Sequence, residues 1–297
     1  MSTIRWSWPG GRRWRWLVGL PMLLLLACAG GGAREGDDRA FQMWFDKGRA
    51  YLERGNAQMA LPALQQANRL QPDHGEVLAL LGLAYDQMDR PVQALEALEE
   101  AHRLRPRETR WLNNLGVARL RVHAVSCAER EAPGCQRLLE QAEEALQSAL
   151  QVSDLRAPEG VWFNLALVYK QRGQTDRMVA ALEKALALSG QHLPARLELA
   201  EHYRVTGRPE LARQHLRGAL AAHPDQVVVL EQLVDTFFVA RRQGEAGQSG
   251  AVALAGMLSS GERGELRSWL SRILALSPGT EAARRAAQRL LLLGRQE

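Results

Sequence analysis

From residue 41 onward the apolar positions fall into two alternating stripes. In 75–108 the first stripe is Leu78, Leu81, Gly82 and Tyr85, stepping by 3, 4 and 7 from its first member, which is one face of a helix. The second is Ala94, Leu98 and Ala101, again one stripe. Pro106 closes the unit, because proline lacks the amide hydrogen and its ring collides with the preceding turn. The spacing predicts a pair of helices, and the pair recurs. Gly48, Gly82 and Gly116 stand 34 residues apart. Around the first two, Tyr51 is answered by Tyr85, Ala60 by Ala94, Leu64 by Leu98, Ala67 by Ala101 and Pro72 by Pro106. A fixed period of this length predicts stacked helix–turn–helix units that bury their faces against one another.

Further copies follow with varying fidelity. Residues 41–74 add Trp44 to the shared positions, and 193–226 carry Leu199, Ala200, Tyr203, Ala212, Leu216, Ala219 and Pro224. Residues 159–192 have Trp162, Leu165, Ala166, Tyr169, Leu182 and Ala185, with Met178 in a small-residue slot and Gly190 in place of the proline. The third copy opens with Leu112, Leu115 and Gly116, but its second stripe (Ala142, Leu146, Ala149) arrives late. Gly82 to Ala94 is 12 residues and Gly116 to Ala142 is 26, so about 14 are inserted, expected as a loop over 121–137. A sixth copy starts at Leu230, Leu233, Val234 and Phe237 and then loses register in a Gly- and Gln-rich stretch at 242–250. Helical segments are expected again at 251–258, 265–276 and 280–293, the last with Arg284, Arg285 and Arg289 on one face as a polar end cap. No alternating period-2 stretch of any length is present.

The pattern L-x-x-L-G-x-x-Y…A-x-x-x-L-x-x-A…P resembles the tetratricopeptide repeat. The resemblance implies an all-α, right-handed superhelical solenoid of about six repeats, acting as a binding surface with no built-in chemistry. The expected organisation is repeats over 41–241, then an irregular sixth repeat and capping helices over 242–297. In such stacks the first helix of each repeat lines the inner groove. The groove candidates are Phe45 and Arg49, Leu80 and Leu83, Asn113, Asn114 and Val117, then Phe163, Asn164 and Leu167, with Glu198, Glu201 and Arg204 beyond. Asn114 and Asn164 share one offset, where an amide can both donate to and accept from a peptide backbone. The apolar members can equally well pack between neighbouring repeats.

The N-terminus reads as an address. Residues 1–16 hold Arg5, Arg12, Arg13 and Arg15 and no acid, and Leu17–Ala27 is an apolar run of 11. As a helix that run spans about 16 Å, roughly half the hydrocarbon core, which favours a secretory signal over a membrane span. Leu25-Leu26-Ala27-Cys28 resembles the bacterial lipobox, implying a signal peptide at 1–27 and an acylated (palmitate-bearing) Cys28. The alternative is an ordinary signal peptide with an incidental cysteine. Arg12-Arg13 also partly matches a twin-arginine signal, so both export routes stay open. Ala29 after the cysteine, in place of aspartate, implies the periplasmic face of the outer membrane. Residues 28–40 are then expected as a flexible tether, whose ten-residue Gly-rich part, 29–38, reaches about 16–19 Å.

Removing 1–27 also changes the charge. The whole chain is formally +5; the signal takes four arginines and no acid, leaving +1. The basic balance is therefore no argument for nucleic acid. If Cys28 is lipidated, Cys127 and Cys135 remain, a pair inside the insertion that the oxidising periplasm would bridge. Two free thiols are the alternative. Their surroundings, Glu129 and Glu131 included, do not match a zinc-ligand spacing. No H-E-x-x-H, G-x-S-x-G or phosphate-loop motif occurs. The histidines read as surface or capping residues, and Glu99-Glu100 and Glu143-Glu144 as solvated faces. The chain is therefore expected to be no enzyme and to take no cofactor, metal or small-molecule substrate.

An outer-membrane lipoprotein built from such repeats resembles the pilotins of type IV pilus secretins. That implies a protein partner, a secretin subunit, held near the membrane through the lipid anchor. A periplasmic adaptor for cell-wall hydrolases or synthases, or a structural subunit of another envelope export or motility complex, are the other readings.

Overall fold

The computed structural model describes residues 19–127, 133–152, 155–239 and 258–294. Every regular element among them is an α-helix. The chain divides into two compact units, 1–125 and 126–297, and the division falls inside the third repeat.

The first unit contains α1 (Gly19–Glu53), α2 (Ala57–Leu70), α3 (Gly75–Gln87), α4 (Pro91–Leu104) and α5 (Leu112–Ser126). Helix pairs form where the periodicity places them, for reasons that can be read residue by residue. Asn56 caps α2, its Oδ1 accepting from the Met59 amide at 3.1 Å, and Pro91 opens α4, where its missing N–H costs nothing. Gly48 and Gly82 let first and second helices approach closely. A Cβ at Gly48 would lie 2.6 Å from Leu64 Cδ2, and one at Gly82 2.5 Å from Leu98 Cγ.

In four of the repeats the turn between the two helices is made by a left-handed residue. Gly55 (φ 71°), Asp89 (56°), Gly173 (70°) and Gly207 (74°) occupy the same place in their repeats. In the third repeat that place is His123, which is helical and buried. With no left-handed stop, α5 runs on to Ser126. The next helix starts at Pro133, so 121–126 and 133–137 are helical where a loop over 121–137 was expected. Residues 128–132 of that span lie outside the described residues. The segment expected as a tether differs too. Residues 28–40 are helical, a backward continuation of the packed 41–53 portion of α1, since adding residues to an existing helix needs no new nucleus. Of the expected signal peptide, 1–18 lie outside the described residues, as does the side chain of Cys28. No described helix is long and apolar enough to cross a membrane.

The second unit contains α6 (Pro133–Leu150), α7 (Pro158–Gln171), α8 (Thr175–Leu188), α9 (Leu193–Val205), α10 (Pro209–Ala222), α11 (Val227–Val239), α12 (Ser260–Leu276) and α13 (Glu281–Gly294). Glu143 on α6 corrects the reading of Glu143-Glu144 as a solvated face: Glu144 is exposed, whereas Glu143 is buried. Its carboxylate accepts from Arg172, from Arg177 at 2.5 Å and from the Tyr169 hydroxyl at 3.3 Å. A buried charge is tolerated only with such partners.

The C-terminal region is more regular than its sequence suggested. Leu266, Leu270 and Ile273 on α12 match Ala212, Leu216 and Ala219 on α10, and Pro278 matches Pro224, each 54 residues on. Subtracting the 34-residue period leaves 20 inserted residues and an intact second helix. The three α12 side chains join the core of Leu216, Leu230, Leu233 and Phe237, and Glu265 on α12 pairs with Arg217 on α10 at 2.6 Å. The expected loop at 242–250 and helical segment at 251–257 lie outside the described residues. α13 then takes the register of a seventh first helix. Where Leu78, Gly82 and Tyr85 face a second helix in repeat two, α13 has Arg284, Gln288 and Leu291, all exposed. Two polar residues in place of leucine and glycine make it the cap of the stack.

Candidate partner-binding surface

In the first unit the groove candidates come from three first helices. Phe45 is corrected: it is 6% exposed, stacked 5.8 Å from Phe41, with the His74 ring edge-on at 5.7 Å. His74 comes from the start of the next repeat, so the ring is consumed by the joint between repeats and is not available to a ligand. Arg49 is exposed, paired with Asp46 at 2.8 Å and lying over the Phe45 ring at 5.3 Å. Leu80 and Leu83, three apart on α3, are half-buried, as are Asn113, Asn114 and Val117 on α5. The Asn113 amide donates to Asn114 Oδ1 at 3.5 Å. Arg121 on α5 bridges back to Asp86 at 2.7 Å and Asp89 at 2.5 Å, fixing α5 to the preceding repeat.

In the second unit Phe163, Asn164 and Leu167 on α7 are half-buried. Phe163 packs 5.3 Å from His192, the counterpart of the Phe45–His74 contact. Along α9 and α11 the surface becomes charged, and its acids are paired: Glu198 with Lys170 (2.6 Å), Glu201 with Arg204 (2.5 Å), Glu231 with Arg285 (2.6 Å) and Asp235 with Arg289 (2.6 Å). Counting helix faces in one repeat at a time missed the last two pairs, because their arginines sit on the capping helix 54 residues on. Leu83, Val117 and Leu167 at one repeat position and Leu80, Asn114 and Asn164 at another offer apolar side chains beside amides. On α3 and α5 of the first unit, and separately on α7 of the second, such side chains can hold an extended or helical peptide by non-covalent contacts.

Cys127, the residue after α5, is bridged to Cys135 in the first turn of α6, with Cα atoms 5.8 Å apart. Pro133-Gly134, which the sequence offers as a turn, instead opens α6, since proline fits a first helical turn.

A tetratricopeptide-repeat sequence model matches residues 51–115 and 170–233. No curated protein matches the sequence. Among solved structures, PilF of Pseudomonas aeruginosa superposes with a TM-score of 0.57 at 22% identity, covering 84% of this chain and 97% of its own. PilW, described as a widely conserved type IV pilus biogenesis factor, gives 0.57 at 16% identity over 83% of this chain and 98% of its own. A thermophilic tetratricopeptide protein of Thermus thermophilus gives 0.53 at 26% identity, covering 66% of this chain and 98% of its own. The sequence model, the left-handed turn at one fixed place in the regular repeats and the close glycine contacts agree for the helix pairs that the model matches: residues 51–115 and 170–233 form tetratricopeptide repeats.

Proposed function

We propose that this chain is a non-catalytic scaffold lipoprotein that assists outer-membrane secretin assembly in type IV pilus biogenesis. Carrying the proposal is one combination: Leu25-Leu26-Ala27-Cys28 stands directly ahead of a repeat array whose fold is shared, over most of both chains, with PilF and PilW. Acyl chains on Cys28 would hold the array at the periplasmic face of the outer membrane, each buried methylene contributing about 0.8 kcal/mol. The amide and apolar surface on α3 and α5 of the first unit would take a segment of the secretin subunit. Anchoring raises the local concentration of that segment without any new contact.

Deletion of the gene tests the role: SDS-stable secretin multimers and surface pili should both be lost. Normal multimers in the deletion strain would remove the secretin role, and altered peptidoglycan cross-linking there would favour an adaptor for cell-wall enzymes. Cys28→Ser should move the protein from the membrane to the soluble periplasmic fraction; unchanged membrane association would refute the anchor.

A further inference from the structure

Two joints between repeats are built alike. Phe45 and His74 are 29 residues apart, and so are Phe163 and His192, which gives the pairs the same register. Each histidine is the N-cap of the next first helix: His74 Nδ1 accepts from the Val77 amide at 3.4 Å, and His192 Nδ1 from the Ala195 amide at 3.2 Å. An accepting Nδ1 leaves the proton of the neutral ring on Nε2. Each ring also packs on the preceding repeat, His74 against Phe41 (4.9 Å) and Phe45 (5.7 Å), His192 against Phe163 (5.3 Å). The same slot elsewhere holds Glu108, Pro158, Gln226 and Thr280, none of them a group that gains a proton near neutral pH.

We propose that these two joints are proton-sensitive: charging His74 and His192 removes the caps of α3 and α9 and loosens each helix from the repeat before it. An imidazolium has two donors and no acceptor, so the Ala195 amide is left facing an N–H, while the Val77 amide keeps only its 2.9 Å bond to the His74 carbonyl. Its charge also sits at the positive end of the helix dipole. Attraction of the cation to the phenylalanine faces offsets part of this cost without restoring the lost acceptor. The charged groups around the rings do not reverse the sign. Burial is the largest effect on His74, Arg105 at the end of α4 acts with it, and Glu76 in the first turn of α3 opposes, so the ring titrates below 6.5. Burial also dominates at His192, where Glu159 on α7 and a backbone hydrogen bond oppose it, and the value is again lowered from 6.5, while nearby Arg196 is engaged with the Gly190 carbonyl. With folded values below the unfolded one, the unfolded joint takes protons first. The contribution of each joint is therefore complete above that ordinary value and is lost as pH falls toward the folded value. This device stands whether or not the surface binds a secretin.

The test uses the full chain. Histidine ring titrations by NMR and amide hydrogen exchange, corrected for the intrinsic rate, are followed between about pH 7.5 and 5. Protection at Ala195 should fall about tenfold as the rings charge and at Val77, which keeps the His74 carbonyl, by less, while the Met59 amide, capped by Asn56, stays protected. His74→Asn and His192→Asn keep an acceptor and should make protection independent of pH. Constant protection through the ring titrations, midpoints at or above 6.5, or an equal fall in the asparagine variants would each overturn the proposal. If the variants fail to fold, the wild-type titration and exchange decide it alone.

Discussion

The third and sixth repeats are both interrupted between their two helices, and the chain handles the interruptions differently. In the third, both helices lengthen toward the gap and Cys127–Cys135 ties its edges together. In the sixth, α11 ends at Val239 and α12 begins afresh at Ser260 behind a capping box, Ser259 and Glu262 each satisfying the other's backbone amide. Beyond both gaps the chain returns to the same register. Ala142, Leu146 and Ala149 are buried on α6, and Leu266, Leu270 and Ile273 on α12. A second helix therefore takes its place from what it packs on, and the number of residues since the first helix does not matter.

Leu270→Ala is the sharpest way to break that comparison. If α12 is a true second helix, the substitution costs as much as Leu216→Ala, about 3 kcal/mol each in urea denaturation. A cost below about 1 kcal/mol at Leu270 would make α12 an accessory helix resting on the stack. Next comes the staple. Cys127→Ser should lose about 2.5 kcal/mol on the loop-closure estimate, seen as a lower melting temperature that reductant no longer changes. Melting identical to the wild type would mean that the bridge adds nothing to stability. A regular repeat should be less forgiving than an interrupted one at its glycines. Gly82→Ala meets Leu98 and should cost about 1–3 kcal/mol, whereas Gly134→Ala at the start of α6 has nothing within 4 Å and should be close to neutral. Equal effects in thermal melts would contradict the close helix contact. Smallest is Ser259→Ala, expected to cost about 1 kcal/mol and to fray the start of α12 in hydrogen exchange.

Much of this was legible in advance because the residues that repeat are those with one packing task. Glycine at a helix crossing, leucine beneath it and proline at the exit leave a visible period. What stayed hidden depends on conformation or on distant partners. That His123 occupies the left-handed turn position is plain only once Gly55, Asp89, Gly173 and Gly207 are seen to share φ > 0. α12 was expected as a helix over 265–276 but was not recognised as a second helix, because Leu266 and Ile273 replace the alanines that mark the others. Phe45 looked like a groove residue because helix-face counting cannot see His74, which arrives from the next repeat to cover it. The half-buried Leu80, Leu83, Asn114, Asn164 and Leu167 were placed correctly on their first helices, since a single helix period is enough to locate them.

Arg284 and Gln288 on α13 bear on more than one molecule. A stack of like units ends in a face that a further unit would cover, and another copy of the chain could supply that unit. Such a contact is head-to-tail and does not close on itself, so copy would add to copy into an open filament. Docking there would strip water from an amide and from a guanidinium that is paired with Glu281 of its own helix at 3.0 Å. Two polar side chains thereby make continuation of the stack from this end costly.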